Sequence, residues 1–137
     1  MQVRGKEELT GAGVHLQFYY YDDATLYVHA NVIVADDDAT ARRLFTSSQQ
    51  SFTNILRGTR GRLPPPIDDI ESYWTQPEKE RASKMLRRSF VGSAETVRAG
   101  LELFVDETEA DELIVAAAIH DHTARLRSYE LLGGLQP

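Results

Sequence analysis

The chain has no cysteine among its 137 residues. That excludes disulfide scaffolds, thiolate zinc sites, iron–sulfur clusters and cysteine nucleophiles. Basic charge is also scarce: 15 Lys and Arg stand against 21 Asp and Glu, for a net charge of -6 and a pI near 5.2. An acidic balance argues against a domain whose main work is gripping a phosphate backbone, so no nucleic-acid partner is expected. No run approaches the roughly 18 apolar residues that cross a bilayer. The start, Met1-Gln2-Val3-Arg4-Gly5-Lys6-Glu7-Glu8, is not followed by the apolar stretch of a secretory signal. No membrane association is expected, and the cytoplasm is the expected compartment. Length excludes a complete (β/α)8 barrel, which needs roughly 250 residues. With 42% hydrophobic and 26% charged residues, the composition is that of an ordinary globular chain, and a single domain over 1–137 is expected.

Within those bounds the pattern is α/β. Val14, Leu16, Phe18 and Tyr20 alternate with His15, Gln17 and Tyr19, the period of a strand. Asp22-Asp23-Ala24-Thr25 reads as a tight connection, and Leu26 to Ala35 as a second strand pairing antiparallel with the first. The end of that strand, Val32-Ile33-Val34-Ala35, is continuously apolar, as suits a strand buried on both faces. Asp36-Asp37-Asp38 then supplies an N-cap, and Ala41, Leu44, Phe45, Ser48, Phe52, Ile55 and Leu56 make one stripe of a helix over about 39–57, stopped at Gly58. Residues 58–74, with Pro64-Pro65-Pro66, form a long loop. Thr75 and Glu78 have capping-box spacing for a helix over 76–88. A third helix over 94–106 presents Val97, Leu101 and Phe104 on one face. Leu113 to Ile119 forms a short buried strand, and a last helix over 123–132 turns Leu126, Tyr129 and Leu132 inward before Gly133-Gly134. The expected order is β-β-α-loop-α-α-β-α.

Four groups of residues can carry chemistry. His120-Asp121-His122 stands where the last strand hands over to the last helix, and the carboxyl ends of parallel strands are where α/β folds bind ligands. Imidazoles there can transfer protons. Equally, Asp121 can be a helix cap with its flanking histidines exposed or packed, and no metal site is expected. Arg57, Arg60 and Arg62 cluster before the proline run and can meet a phosphate with their forked donors, or can be a solvated loop. Gly92-Ser93-Ala94-Glu95-Thr96 is a helix start able to receive an anion, although Glu95 already satisfies that end. Tyr73-Trp74 can be an aromatic lid or an anchor of the loop in the core.

Taken in order, several segments resemble one family. They are 27–38 (Tyr-Val-His-Ala-Asn-Val-Ile-Val-Ala-Asp-Asp-Asp), Ala41-Arg42-Arg43-Leu44, Arg60-Gly61-Arg62-Leu63-Pro64-Pro65-Pro66, 90–97 (Phe-Val-Gly-Ser-Ala-Glu-Thr-Val), Ala110-Asp111-Glu112-Leu113-Ile114-Val115, and 120–132 from His120-Asp121-His122 to Leu132. This resembles the C-terminal part of luciferase-like flavin-dependent monooxygenases, the family of bacterial luciferase and alkanal monooxygenase. The resemblance spans about residues 26–134, and residues 1–25 match poorly. It implies a partial TIM-barrel-like piece, with reduced FMN or a related flavin and dioxygen oxidising a substrate such as an aldehyde. It also implies that the proline-rich segment lies near the mouth of the site, with His120 and His122 as its neighbours. Family residues that would precede residue 1 have no matching positions here.

A piece of a barrel exposes sheet edges and the apolar inner face of its strands. A homodimer, or a separate N-terminal barrel portion, is therefore expected to cover them. Two readings of function follow: a monooxygenase portion without competence by itself, and a non-catalytic dimer that binds a small, flavin-like ligand.

Overall fold

The computed structural model describes residues 5–11, 14–20 and 26–135, with side chains from Val28 onward. The elements are β1 (Gly5–Gly11), β2 (Val14–Tyr20), β3 (Leu26–Val34), α1 (Asp38–Leu56), α2 (Gln76–Met85), β4 (Ser89–Gly92), α3 (Ala94–Thr108), β5 (Glu112–Ala116) and α4 (His122–Gly133). The fold is α/β, with β3 at its centre. Tyr27 pairs with Tyr19 of β2 and with Glu112 of β5, while Asn31 pairs with Ser89 of β4 and with Ala116 of β5. A residue has one strand neighbour on each side, so β2 and β4 follow one another along one edge of β3 and β5 holds the other. The β4-β3-β5 portion is parallel.

Two strands differ from the expected order. β1 pairs along the whole of β2, from Gly5↔Tyr20 to Gly11↔Val14, whereas the expected hairpin of β2 with β3 is confined to Tyr19↔Tyr27 and Tyr20↔Leu26. The segment Gly-Lys-Glu-Glu-Leu-Thr-Gly has no apolar alternation to announce a strand. β4 has four residues, too few to show a period, and it forms because β3 offers an unpaired edge beyond Ala30. The turn expected at Asp22–Thr25 lies outside the described residues, apart from which the helices fall within a few residues of expectation.

β3 is buried from both sides at its carboxyl end, as its apolar run implies. Val28, Ala30, Val32 and Val34 face α3 and α4, where Val97, Phe104, Leu101, Leu131 and Leu132 complete a cluster. Ile33 and Ala35 face α1 instead, against Ala41, Leu44, Phe45, Val91 and Ile119. The amino-terminal half of this second face is open: His29 and Ile114, paired across the strands, are both exposed. β5 pairs with β3 alone among the described residues, so its outer edge is free.

Two helices bury other residues than their periodicity suggests. In α1 the buried positions include Thr46, Ser47, Ser48, Gln50 and Thr53, while Ile55 is exposed. For Thr46 and Gln50 the reason is the loop that follows. Ile67 N donates to Thr46 Oγ1 at 2.9 Å, and Gln50 Nε2 donates to the Pro65 carbonyl at 2.9 Å, so these two side chains satisfy the backbone of the proline segment, while Ser48 donates to the Ala118 carbonyl and Thr53 to Gln49 of its own helix. In α4, Leu126 and Tyr129 point outward, and the buried position is Ser128. Its hydroxyl accepts from Val34 N at 2.9 Å, beyond the last residue of β3 that pairs with β5. A small side chain is needed for α4 to lie that close to the strand.

Candidate functional site

Because the strands of the β4-β3-β5 portion are parallel, the helices that follow them all start at one end of the sheet. There the strand ends meet the first turns of α1, α3 and α4. Free N–H groups and the helix dipole make such ends attractive to anions. Each of these ends is already served by the chain itself. Asp37 accepts from Thr40 N at 2.7 Å and from the Thr40 hydroxyl at 2.8 Å, and these bonds hold its carboxyl below the ordinary carboxylate range. Asp38, the next residue, accepts from Ser93 N at 2.7 Å across the sheet end, and that amide holds its carboxyl low as well. Asp121 accepts from Ala124 N at 2.8 Å and so caps α4. Asp36 pairs with Arg127 of α4 at 2.8 Å.

The anion at the Gly92-Ser93 helix start is therefore the carboxylate of Asp38. Gly92 makes the approach possible, since a Cβ there would sit 2.7 Å from Asp38 Oδ1 and 2.7 Å from Thr96 Cγ2. The spacing of Asp38 from Ser93 hides this contact in the sequence. Asp-Asp-Asp shows that a cap is coming, but not that its members serve two different helices.

The histidines flank that capped end. Ile119 is buried and anchors the turn after β5, while His120 and His122 are exposed. His122 opens α4, and its Nδ1 lies 2.8 Å from Arg125 Nη2. No group of three or more His, Asp or Glu side chains is arranged to hold a metal among the described residues.

The three arginines are not brought to one place. Arg57 donates from Nε to Glu78 Oε1 at 2.7 Å, and from Nη2 to Glu78 Oε2 at 2.9 Å and the Tyr73 carbonyl at 2.8 Å. Its guanidinium also lies over the Tyr73 ring, 4.9 Å from the centroid. Glu78 accepts from Thr75 N at 2.8 Å too, and the Arg57 fork together with that amide pulls its carboxyl down to about 2. Arg57 thus ties the end of α1 to the start of α2 and closes the proline loop. Arg60 and Arg62 are exposed and line a small groove of about 250 Å³ with Ser51, Asn54 and Ile55. Trp74 is 8% exposed, so it anchors the loop, and Tyr73 donates its hydroxyl to Asn54 Oδ1 at 2.6 Å.

Two larger grooves lie on either side of the helical layer's contact with the sheet edges. One, of about 610 Å³, runs between α1, the 67–70 segment and β4, with Arg42 and Arg43 at its rim. The other, of about 670 Å³, lies over β5 between α3 and the end of α4, with Glu102 and Asp106 at its rim. No helix among the described residues is long and apolar enough to cross a membrane.

Comparison with known proteins bears on the whole arrangement. No family model matches the chain. A luciferase-like monooxygenase of Escherichia coli strain K12 is 45% identical over 101 residues, covering 74% of this chain and 30% of that protein. The uncharacterised protein YvbT of Bacillus subtilis strain 168 is 37% identical over 111 residues, 81% of this chain and 33% of its own length. Among solved structures, the crystal structure of apo-MsnO8 superposes with a TM-score of 0.69 at 32% identity, over 80% of this chain and 33% of that one. The chain thus spans about a third of the length of the relatives it matches, as a barrel piece does. By sequence and by fold, it belongs to the luciferase-like monooxygenase family.

Proposed function

We propose that this chain carries one portion of a luciferase-like flavin-dependent monooxygenase, the strand-end wall beside the mouth of its site. On this reading the 137 residues do not carry out the oxidation by themselves. In the family, reduced FMN or a related flavin and dioxygen oxidise a substrate such as an aldehyde. The observation that carries the reading is the state of the strand ends. A flavin phosphate needs free amides or uncommitted cations at such an end. Here Asp37, Asp38 with Ser93, and Asp121 already serve the three helix starts, and Arg57 is committed to Glu78. These particular groups are thus committed to the chain itself, and no flavin step is routed through them. His120 and His122 remain as neighbours of the mouth. Soaking the purified protein in FMN, desalting it and recording its absorbance is expected to leave it colourless. Flavin bands near a stoichiometric ratio would overturn the reading, and the same preparation without substrate oxidation would then favour a non-catalytic flavin-binding protein.

The open edge of β5 and the exposed Ile114 support a covering partner, for which a second copy of this chain is the proposed occupant. Light scattering on the eluting protein at micromolar concentration is expected to give twice the chain mass. A monomer would exclude the second copy and leave a separate barrel portion as the cover.

A further inference from the structure

We infer that the groove between α1, the 67–70 segment and β4 is a binding site for a small amphipathic anion, an apolar body carrying one carboxylate or sulfonate. At about 610 Å³ it has the volume of a small-molecule site. Phe45, Ile67, Ile70, Leu86 and Val91 supply apolar walls, which favour burying an aromatic or aliphatic body. Arg42 and Arg43 stand at the rim, one turn into α1.

The charge of that rim selects the ligand. Arg43 is paired with Asp68 at 2.6 Å. Arg42 is exposed and has no hydrogen bond or ion pair among the described residues. Its charge also acts on Asp38, whose carboxylate is held first by Ser93 N and then by the Thr96 side chain. The groove therefore offers one uncommitted guanidinium beside an apolar wall, on a protein of net charge -6. The groove over β5 is the internal control. It has about the same volume and is also apolar, through Leu101, Val105, Leu113, Val115, Leu132 and Leu135, but its rim carries Glu102 and Asp106. Hydrophobicity alone does not distinguish the two, whereas an anionic head group does. Arg42, Thr46 and Gln49 recur at helical spacing and line one side of the groove. The groove reaches the first turn of α1 at Ala39 but is lined by none of the capping carboxylates, and it does not depend on the proposed monooxygenase role.

The test uses two fluorescent probes of one shape, the anion 8-anilinonaphthalene-1-sulfonate and its neutral counterpart N-phenyl-1-naphthylamine. Binding of the anion to the intact chain is expected to shift the amide resonances of Phe45, Ile67, Ile70 and Val91 and to leave those of Leu101, Val105 and Leu132 in place. Arg42→Gln, an exposed change, is expected to weaken the anion by about three- to fivefold, the worth of one solvent-exposed charge pair, and to leave the neutral probe unchanged. Glu102→Gln is expected to change neither. The inference is overturned if the anion maps to the β5 groove, if Arg42→Gln affects both probes alike, or if the anion does not bind.

Discussion

Two packing contacts, that of α3 and α4 on the sheet and that of the proline loop on α1, are built on different chemistry. Under α3 and α4 the contact is apolar: Val28, Ala30, Val32 and Val34 of β3 meet Val97 and Phe104, with Phe90 tilted against the Phe104 ring at 5.1 Å. Under the proline loop the contact is polar. Thr46 and Gln50 of α1 are buried because they hold the backbone of residues 65–67, which has no helix or strand to satisfy it. An apolar covering gains from area and tolerates modest changes of shape, whereas a polar one depends on individual atoms and fails when one is removed.

Phe104→Ala would remove most from the apolar covering. The ring is 2% exposed, and its loss is expected to cost about 3–5 kcal/mol in chemical denaturation, affecting the whole chain. Thr46→Val keeps the shape of the side chain but leaves the Ile67 amide without its acceptor. It is expected to cost about 1–3 kcal/mol and to speed hydrogen exchange at Ile67 far more than in β3. Equal exchange in both places would break the distinction between the two coverings. The smallest effect belongs to Glu78, which is held at about 2 in the folded chain against an ordinary 4.5. A depressed carboxyl stabilises above its unfolded value, so this contribution is present above about pH 4.5 and is lost as the pH falls towards about 2. Glu78→Gln is expected to lower stability slightly at neutral pH and to flatten the dependence between those limits. Urea melts at several pH values would show it, and an unchanged slope would mean that the Arg57–Glu78 pair adds nothing measurable to stability.

The apolar covering was also the legible one. The run Val32-Ile33-Val34-Ala35 and the spacing of Val97, Leu101 and Phe104 announce a strand buried on both faces and a helix lying on it, and the structure has both. The polar covering left no comparable trace, because Thr46 and Gln50 look like solvated helix positions until the proline loop folds back on them. The same blindness affected α4, where Leu126 and Tyr129 have the right period but Ser128 has the right size. The caps at Asp121, beside the strand ends, and at Thr75, after the proline loop, could be read locally. The bond from Ser93 to Asp38 could not, since it joins residues brought together only by the pairing of β3 with β4. For Arg57, Arg60 and Arg62 the sequence left a phosphate contact and a solvated loop side by side, because adjacency along the chain does not show that the first is held by Glu78 while the other two stay exposed.

The central place of β3 also sets an order of events as the protein is made. Its final neighbour, β5, emerges late, and Tyr27 must wait for Glu112, 85 residues further on, before both its sides are paired. Until then an apolar strand stands with one side bare, and contacts so distant in sequence close slowly. A newly made chain is thus most prone to mispair between the emergence of β3 and that of β5, and a pause in translation between them would lengthen the hazard.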